Sequence, residues 1–222
     1  MRIRRLVMLR HGQTEYNANS RMQGQLDTDL SDLGRNQAVA AAEVLAKRQP
    51  LLIVSSDLRR ALDTATALSE RSGLPLSIDT RLRETHLGDW QGMTHLEVDA
   101  AAPGARLAWR DDARWAPHGG ESRVDVAARS LPVVAELVAD QAEWGVDEPD
   151  RPVVLVAHGG LIAALTAGLL RLPVENWPIL GGMGNASWVQ LSGHSAPDAE
   201  ADDVQWRLDV WNASAQVAND VL

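Results

Sequence analysis

Five polar residues carry the chemistry available to this sequence: Arg10, His11, Arg60, Glu84 and His158. The two histidines share one setting. Each comes at the end of a short, largely apolar run, Ile3–Leu9 with Arg10 in one case and Val153–Ala157 in the other, and each is followed by glycine, Gly12 and Gly159. Such runs read as buried strands, and in an open α/β sheet ligands bind just beyond the carboxyl ends of strands. Glycine there lets backbone approach a ligand closely. Arg60 falls early in a helix after a further apolar run, Leu51–Val54, where free backbone N–H groups also face an anion. Glu84 follows a weaker strand candidate, Leu76–Ile78. All five groups then reach one rim. Two guanidiniums and two imidazoles around one point suit a phosphate dianion, which arginine grips with a planar fork. A carboxyl group beside it can hand a proton to a departing alcohol.

Composition narrows what could accept a phosphoryl group. The 222 residues contain no Cys, which removes thiolate nucleophiles, disulfides, Cys-based zinc sites and iron–sulfur clusters. The single lysine, Lys47, sits at the polar end of a helix, so no Gly-rich phosphate loop ending in Lys is present. His, Ser, Asp or water remain. A neutral imidazole is a competent nucleophile when its other nitrogen donates to a carbonyl. The net charge of −9 argues against nucleic acid or an anionic membrane as partner and leaves room for a small cationic pocket. No run of 18 apolar residues occurs, and the start lacks the apolar stretch of a signal peptide, so the cytoplasm is expected.

The elements that must position these groups alternate. Residues 12–30 read as a long loop, of a kind usually functional or disordered, Ser31 as the N-cap of a helix over 32–48, residues 57–71 as a helix and 80–93 as charged loop. Residues 94–120 hold Pro103, Gly104, Pro117, Gly119 and Gly120 amid Arg, Asp and Trp, and read as an insertion or lid. A helix over 121–142 should be kinked or split by Pro132. A helix over 161–171 and strands at 186–191 and 204–211 complete the chain. Continuous rather than alternating apolar strands, interleaved with helices, predict a mostly parallel sheet covered on both faces. One domain spanning 1–222 is expected.

In order along the chain, Leu9-Arg-His-Gly-Gln-Thr14 with Asn17, Ser55-Ser-Asp-Leu-Arg-Arg-Ala61, Glu84 with Gly88-Asp-Trp-Gln-Gly92, Gly119-Gly-Glu-Ser122 and Val156-Ala-His-Gly-Gly160 resemble the signature blocks of the histidine phosphatase superfamily, also called phosphoglycerate mutase-like. The resemblance covers residues 4 to about 192. It implies a three-layer α/β/α sandwich with a mostly parallel central sheet and a lid-like insertion. It implies a metal-independent phosphomonoesterase with no cofactor, in which His11 becomes phosphohistidine. Arg10, Arg60 and His158 would then hold the phosphoryl oxygens, with Asn17 and Gly159 adding to that pocket. Glu84 would protonate the leaving oxygen and then activate water, and Gln23 and Gly24 would contact substrate. A small phosphorylated substrate follows, a glycosyl phosphoglycerate or sugar phosphate, with resemblance over the whole chain favouring glucosyl-3-phosphoglycerate. A homodimer is a further expectation.

Competing readings are weaker. A cofactor-dependent phosphoglycerate mutase would use the same nucleophile, but such mutases usually carry a longer, more basic insertion at 94–120. A ligand-binding module without catalysis would not need all five groups intact. Asp27-Thr-Asp29 resembles a paired-aspartate phosphatase signature, yet no apolar strand precedes it and no lysine follows in place; turn or helix-entry roles suit it better. Gly182-Met-Gly184 precedes a strand candidate, unlike a dinucleotide loop. His86, His95, His118 and His194 read as surface or lid residues and Arg59 as solvated. Trp109 and Trp115, with Arg106, Arg110 and Arg114, are candidate substrate contacts, with packing of the insertion the better reading for the two tryptophans.

Overall fold

The computed structural model describes residues 1–146, 151–196 and 200–215. Six strands form one sheet: β1 (Arg2–Arg10), β2 (Leu52–Ser55), β3 (Leu76–Ile78), β4 (Val153–Ala157), β5 (Trp188–Ser195) and β6 (Gln205–Ala213), in spatial order β3-β2-β4-β1-β5-β6. The first four in that order are mutually parallel, while β5 runs antiparallel to β1 and β6 antiparallel to β5. Two central strands are apolar on both faces because both faces are covered. Leu6, Met8, Val153 and Leu155 pack into one core, under α6 (Arg123–Asp140) and α7 (Gly159–Leu169). Val7, Leu9, Val154 and Val156 pack into the other, under α2 (Asp32–Ala46) and α3 (Arg59–Ser72). Among the described residues no helix is long and apolar enough to cross a membrane.

The β1–β4 ladder sets the height of the two histidines. Arg10 pairs with Ala157, so His11 and His158 each stand one residue beyond neighbouring strand ends. His11 N continues the ladder to Ala157 O at 3.1 Å.

Several boundaries differ from those expected. Ser31 caps α2, its Oγ accepting from Gly34 N. The loop at 12–30 contains a single helical turn, α1 (Glu15–Ala18), closed by a reciprocal cap between Thr14 and Asn17. Helix α3 starts at Arg59 rather than 57, and Leu58 gives it no side-chain cap. Asp27, 32 residues away, does so instead: its Oδ1 accepts from Arg59 N at 2.8 Å. Arg59 is accordingly ion-paired with Asp27 and Asp29 rather than merely solvated. The 80–93 segment holds two short 3₁₀ turns, Thr80–Leu82 and Gly88–Trp90. The 94–120 segment folds into α4 (His95–Ala101) and α5 (Ala105–Asp111). Helix α6 runs through Pro132 without splitting. An interior proline costs about 3 kcal/mol, and buried Val126, Ala127 and Ser130 before it and Val133, Val134 and Val138 after it hold both halves to one core. Helix α7 begins at Gly159, two residues earlier than expected, with His158 as its N-cap.

Gly12 serves a different close approach from the one expected. A Cβ there would collide with the backbone of Gly34 on α2, and a Cβ on Gly34 would collide with Gln13 O. Backbone meets backbone at this crossing, and it presses the loop after His11 against α2.

Candidate active site

A cavity of about 190 Å³ opens at the carboxyl end of the sheet. Arg10, His11, Asn17, Gln23, Gly24, Arg60 and Glu84 line it, together with Arg21, His95, Trp109 and Gly160. His158 and Gly159 are not on its wall. His158 is fully buried against His11, ring centroids 5.2 Å apart, with Nδ1 unpartnered. A Cβ on Gly159 would lie 3.5 Å from Arg10 Nε, so the residue stands against Arg10.

His11 Nδ1 lies 2.7 Å from Gly12 O. A carbonyl can only accept, so Nδ1 carries the proton and Nε2 keeps a lone pair. The cationic ring is disfavoured in addition. Burial, then the Arg60 and Arg10 guanidiniums, hold the His11 pKa well below the ordinary 6.5. His158 is held well below it by burial, Arg60, His11 and Arg10. Ser56 Oγ sits 2.9 Å from His158 Nε2 and accepts from Leu58 N.

Both arginines are fixed by carbonyls. Arg60, fully buried on the first turn of α3, donates from its two terminal nitrogens to Leu26 O and Gly24 O, each at 2.7 Å. Arg10 donates to Met183 O. Nε of each is buried without a partner. Burial lowers the Arg10 pKa, and burial brings that of Arg60 down to about 10, so Arg60 remains cationic at neutral pH. Gly24, at φ +53°, thus supplies a carbonyl to Arg60. Asn17 Oδ1 accepts from Thr14 N at 3.2 Å and Asn185 Nδ2 at 3.1 Å. Gln23 Oε1 lies 3.0 and 2.6 Å from the hydroxyls of Thr14 and Thr28. With both amide oxygens occupied, the NH₂ ends of Asn17 and Gln23 are the donors left for a ligand.

Glu84 is held at the start of α7. Its Oε2 accepts from Gly160 N at 3.0 Å, and its Oε1 from Leu161 N at 3.0 Å and Thr85 N at 2.8 Å. The orphan amides that open a helix therefore go to a carboxylate here. A Cβ on Gly160 would fall 2.6 Å from Glu84 Oε1, so the carboxylate fits only against glycine.

Sequence reading missed Arg21 and His95 on the cavity wall, and Asn185 behind Asn17. His95 was expected at the surface or in a lid; it is exposed and borders the cavity from the start of α4. Trp109 lines the cavity, packing edge-on to Trp90, while Trp115 stacks on Trp90. Arg106 is paired with Asp99, and neither Arg110 nor Arg114 lines the cavity. A signal for this part of the wall was present: Thr94 and Glu97 form a reciprocal cap that starts α4 at His95. Among the described residues no three His, Asp or Glu side chains converge as metal ligands.

The depressed histidine pKa values fix a pH dependence. A lowered pKa means the ring stays neutral as pH falls through 6.5 and takes up a proton only in more acidic solution. In the ligand-free protein the ¹⁵N ring shifts of His11 and His158 should therefore not titrate through pH 6.5, and inorganic phosphate should bring a titration into view as its charge favours the imidazolium. The unfolded chain binds those protons below 6.5, so both rings reduce stability as pH falls through that value. Titration of both rings near 6.5 in the free protein would contradict this account.

Residues 6–214 match the family model of the histidine phosphatase superfamily, branch 1. The chain is 84% identical, over all of both chains, to the glucosyl-3-phosphoglycerate phosphatase of Mycolicibacterium vanbaalenii. It is 78% identical, again over all of both chains, to the enzyme of the same name from Mycobacterium tuberculosis. A solved structure of the mycobacterial glucosyl-3-phosphoglycerate phosphatase complexed with VO₃ superposes with a TM-score of 0.92 at 78% identity, covering 95% of this chain and 100% of that one.

Proposed function

The chain belongs to the histidine phosphatase superfamily, and from that premise we propose that it hydrolyses glucosyl-3-phosphoglycerate to glucosylglycerate and phosphate through phospho-His11. One observation carries the chemistry: His11 Nδ1–H is committed to Gly12 O, which leaves Nε2 bare in a cavity shared with the buried Arg60 and the partly buried Arg10. In the first step Nε2 attacks phosphorus, the phosphorus–oxygen ester bond breaks, and Glu84 gives its proton to the departing oxygen. In the second, Glu84 takes a proton from water, whose oxygen attacks phosphorus, and the phosphorus–nitrogen bond breaks. Arg10 and Arg60, with the Nδ1 edge of His158, stabilise the charge on the equatorial oxygens. They supply the positive charge a metal ion would otherwise bring. Asn17 and Gln23 complete the phosphate pocket in this reading, with Gly159 standing behind Arg10.

The substrate assignment rests on whole-chain identity to the two mycobacterial enzymes. The cavity wall supports it. Arg21, His95 and Trp109 offer donors beyond the phosphate end, which suits a leaving group bearing hydroxyls and a carboxylate. In the same reading residues 94–120 form a lid on a single domain, the enzyme is cytoplasmic, and two copies associate.

A release assay over a panel of phosphometabolites tests the assignment. kcat/KM for glucosyl-3-phosphoglycerate is expected to exceed that for mannosyl-3-phosphoglycerate and, by at least about tenfold, that for free 3-phosphoglycerate, a gap of about 1.4 kcal/mol. Activity is expected to survive EDTA. A preference for free 3-phosphoglycerate, or conversion of it to 2-phosphoglycerate with bisphosphoglycerate present, would overturn the assignment.

A further inference from the structure

We infer that Arg129, gripped by Glu121, is a positioning residue for Glu84. The inference rests on the reading of Glu84 as proton donor. Arg129 projects from α6 toward the segment that carries Glu84 and does not line the cavity. Its guanidinium takes Glu121 as a bidentate partner, Nε to Oε1 at 2.8 Å and NH2 to Oε2 at 3.0 Å. The same fork donates to two carbonyls, Arg81 O at 2.7 Å and Glu84 O at 2.9 Å. Glu121 reaches past Glu84 as well: its Oε2 accepts from His86 N at 2.8 Å, and its own N–H donates to His86 O at 2.8 Å. One ion pair, about four-fifths shielded on each side, therefore ties the backbone before, at and after Glu84.

Glu84 has two independent anchors as a result. Its carboxylate is placed by the amides that open α7, and its backbone by the Arg129 fork, with Gln25 Nε2 donating to the same Glu84 O at 3.0 Å. A proton donor works only within hydrogen-bond reach of the departing oxygen, and a displacement of about 1 Å costs about 100-fold in rate. Arginine is required because five donors in one plane serve a carboxylate and two carbonyls at once; a lysine ammonium restores the charge and not the fork.

Leaving-group dependence separates this role from a merely structural one. Nitrophenolate departs without a proton, so kcat/KM for p-nitrophenyl phosphate is insensitive to where Glu84 stands. Arg129→Met is expected to lower kcat/KM for glucosyl-3-phosphoglycerate about 100-fold and that for p-nitrophenyl phosphate less than about threefold. Arg129→Lys is expected to stay impaired with the first substrate. Should Arg129→Met fail to fold, Glu121→Gln, which leaves the carbonyl contacts of Arg129 in place, is expected to show the same discrimination at smaller amplitude. Equal losses on both substrates, no loss, or full rescue by lysine would overturn the inference. Glu84→Gln measured in parallel keeps the two ideas apart. If it shows no leaving-group discrimination, the proton-donor reading fails; if it does and the Arg129 variants do not, the positioning role alone fails.

Discussion

His11→Ala is expected to lower kcat by at least about 10³-fold, because the covalent route vanishes and water must attack the ester directly. The phosphate pocket itself survives the change. Arg60 keeps its bonds to Leu26 O and Gly24 O, and Arg10 its bond to Met183 O, so substrate should still bind. The loss should therefore fall on kcat far more than on KM. The second half of the measurement is chemical. Rapidly mixed with ³²P-labelled substrate and quenched, the unaltered enzyme should carry label that survives alkali and is lost in acid, the behaviour of a phosphorus–nitrogen bond. His11→Ala should carry none. Full activity in the variant, or label that survives acid, would remove His11 from the mechanism.

Glu84→Gln should divide the reaction by substrate. kcat/KM reports the steps through departure of the alcohol, where Glu84 acts as acid. For glucosyl-3-phosphoglycerate, whose alkoxide needs a proton, it should fall about 10²- to 10⁴-fold. For p-nitrophenyl phosphate it should change little. Turnover of the nitrophenyl ester should nonetheless slow, since water attack on phospho-His11 needs Glu84 as base. The expected record is a burst of nitrophenolate equal to the enzyme concentration, followed by a slow phase. The local structure accommodates the substitution only in part. The amide oxygen can take the place of Oε1 against Leu161 N and Thr85 N, but the amide NH₂ then faces Gly160 N–H, donor against donor. Equal kcat/KM losses on both substrates would show that this conflict, and not proton transfer, dominates.

The sequence made the strands and the rim legible because the central strands are apolar on both faces, and such runs stand out whatever surrounds them. His11 and His158 could be placed at strand ends for that reason. What stayed hidden was held by long-range contacts. Nothing local says that Asp27 caps α3, or that Arg129 reaches the carbonyl of Glu84, 45 residues away. Gly12 was read as making room for a ligand, whereas it makes room for the backbone of Gly34. Gly160, read only as a family match, turned out to be the seat of the Glu84 carboxylate. Pro132 was weighed by its local cost, and burial on both sides of it outweighed that cost. The helix α4 was the avoidable miss, since the Thr94–Glu97 spacing announces a helix start in what was read as an insertion or lid.

The strand order has a consequence for synthesis. β4 lies between β1 and β2 in the sheet, yet more than 140 residues separate it from β1 in the chain. A ribosome delivering this protein releases β1, β2 and β3 long before the strand that joins β1 to the other two. The N-terminal portion can form local helices while it waits, but its two sets of strands have no common ladder, and the apolar faces of β1 and β2 lack a neighbour. Contacts this distant in sequence make for slow folding and a prolonged exposure of unpaired strand edges. When β4 arrives it joins β1 to β2 and, one residue later, delivers His158 beside His11. The step that unites the parallel strands is therefore also the step that brings the two histidines together, and a chain that ends before β4 has no complete active site to misuse.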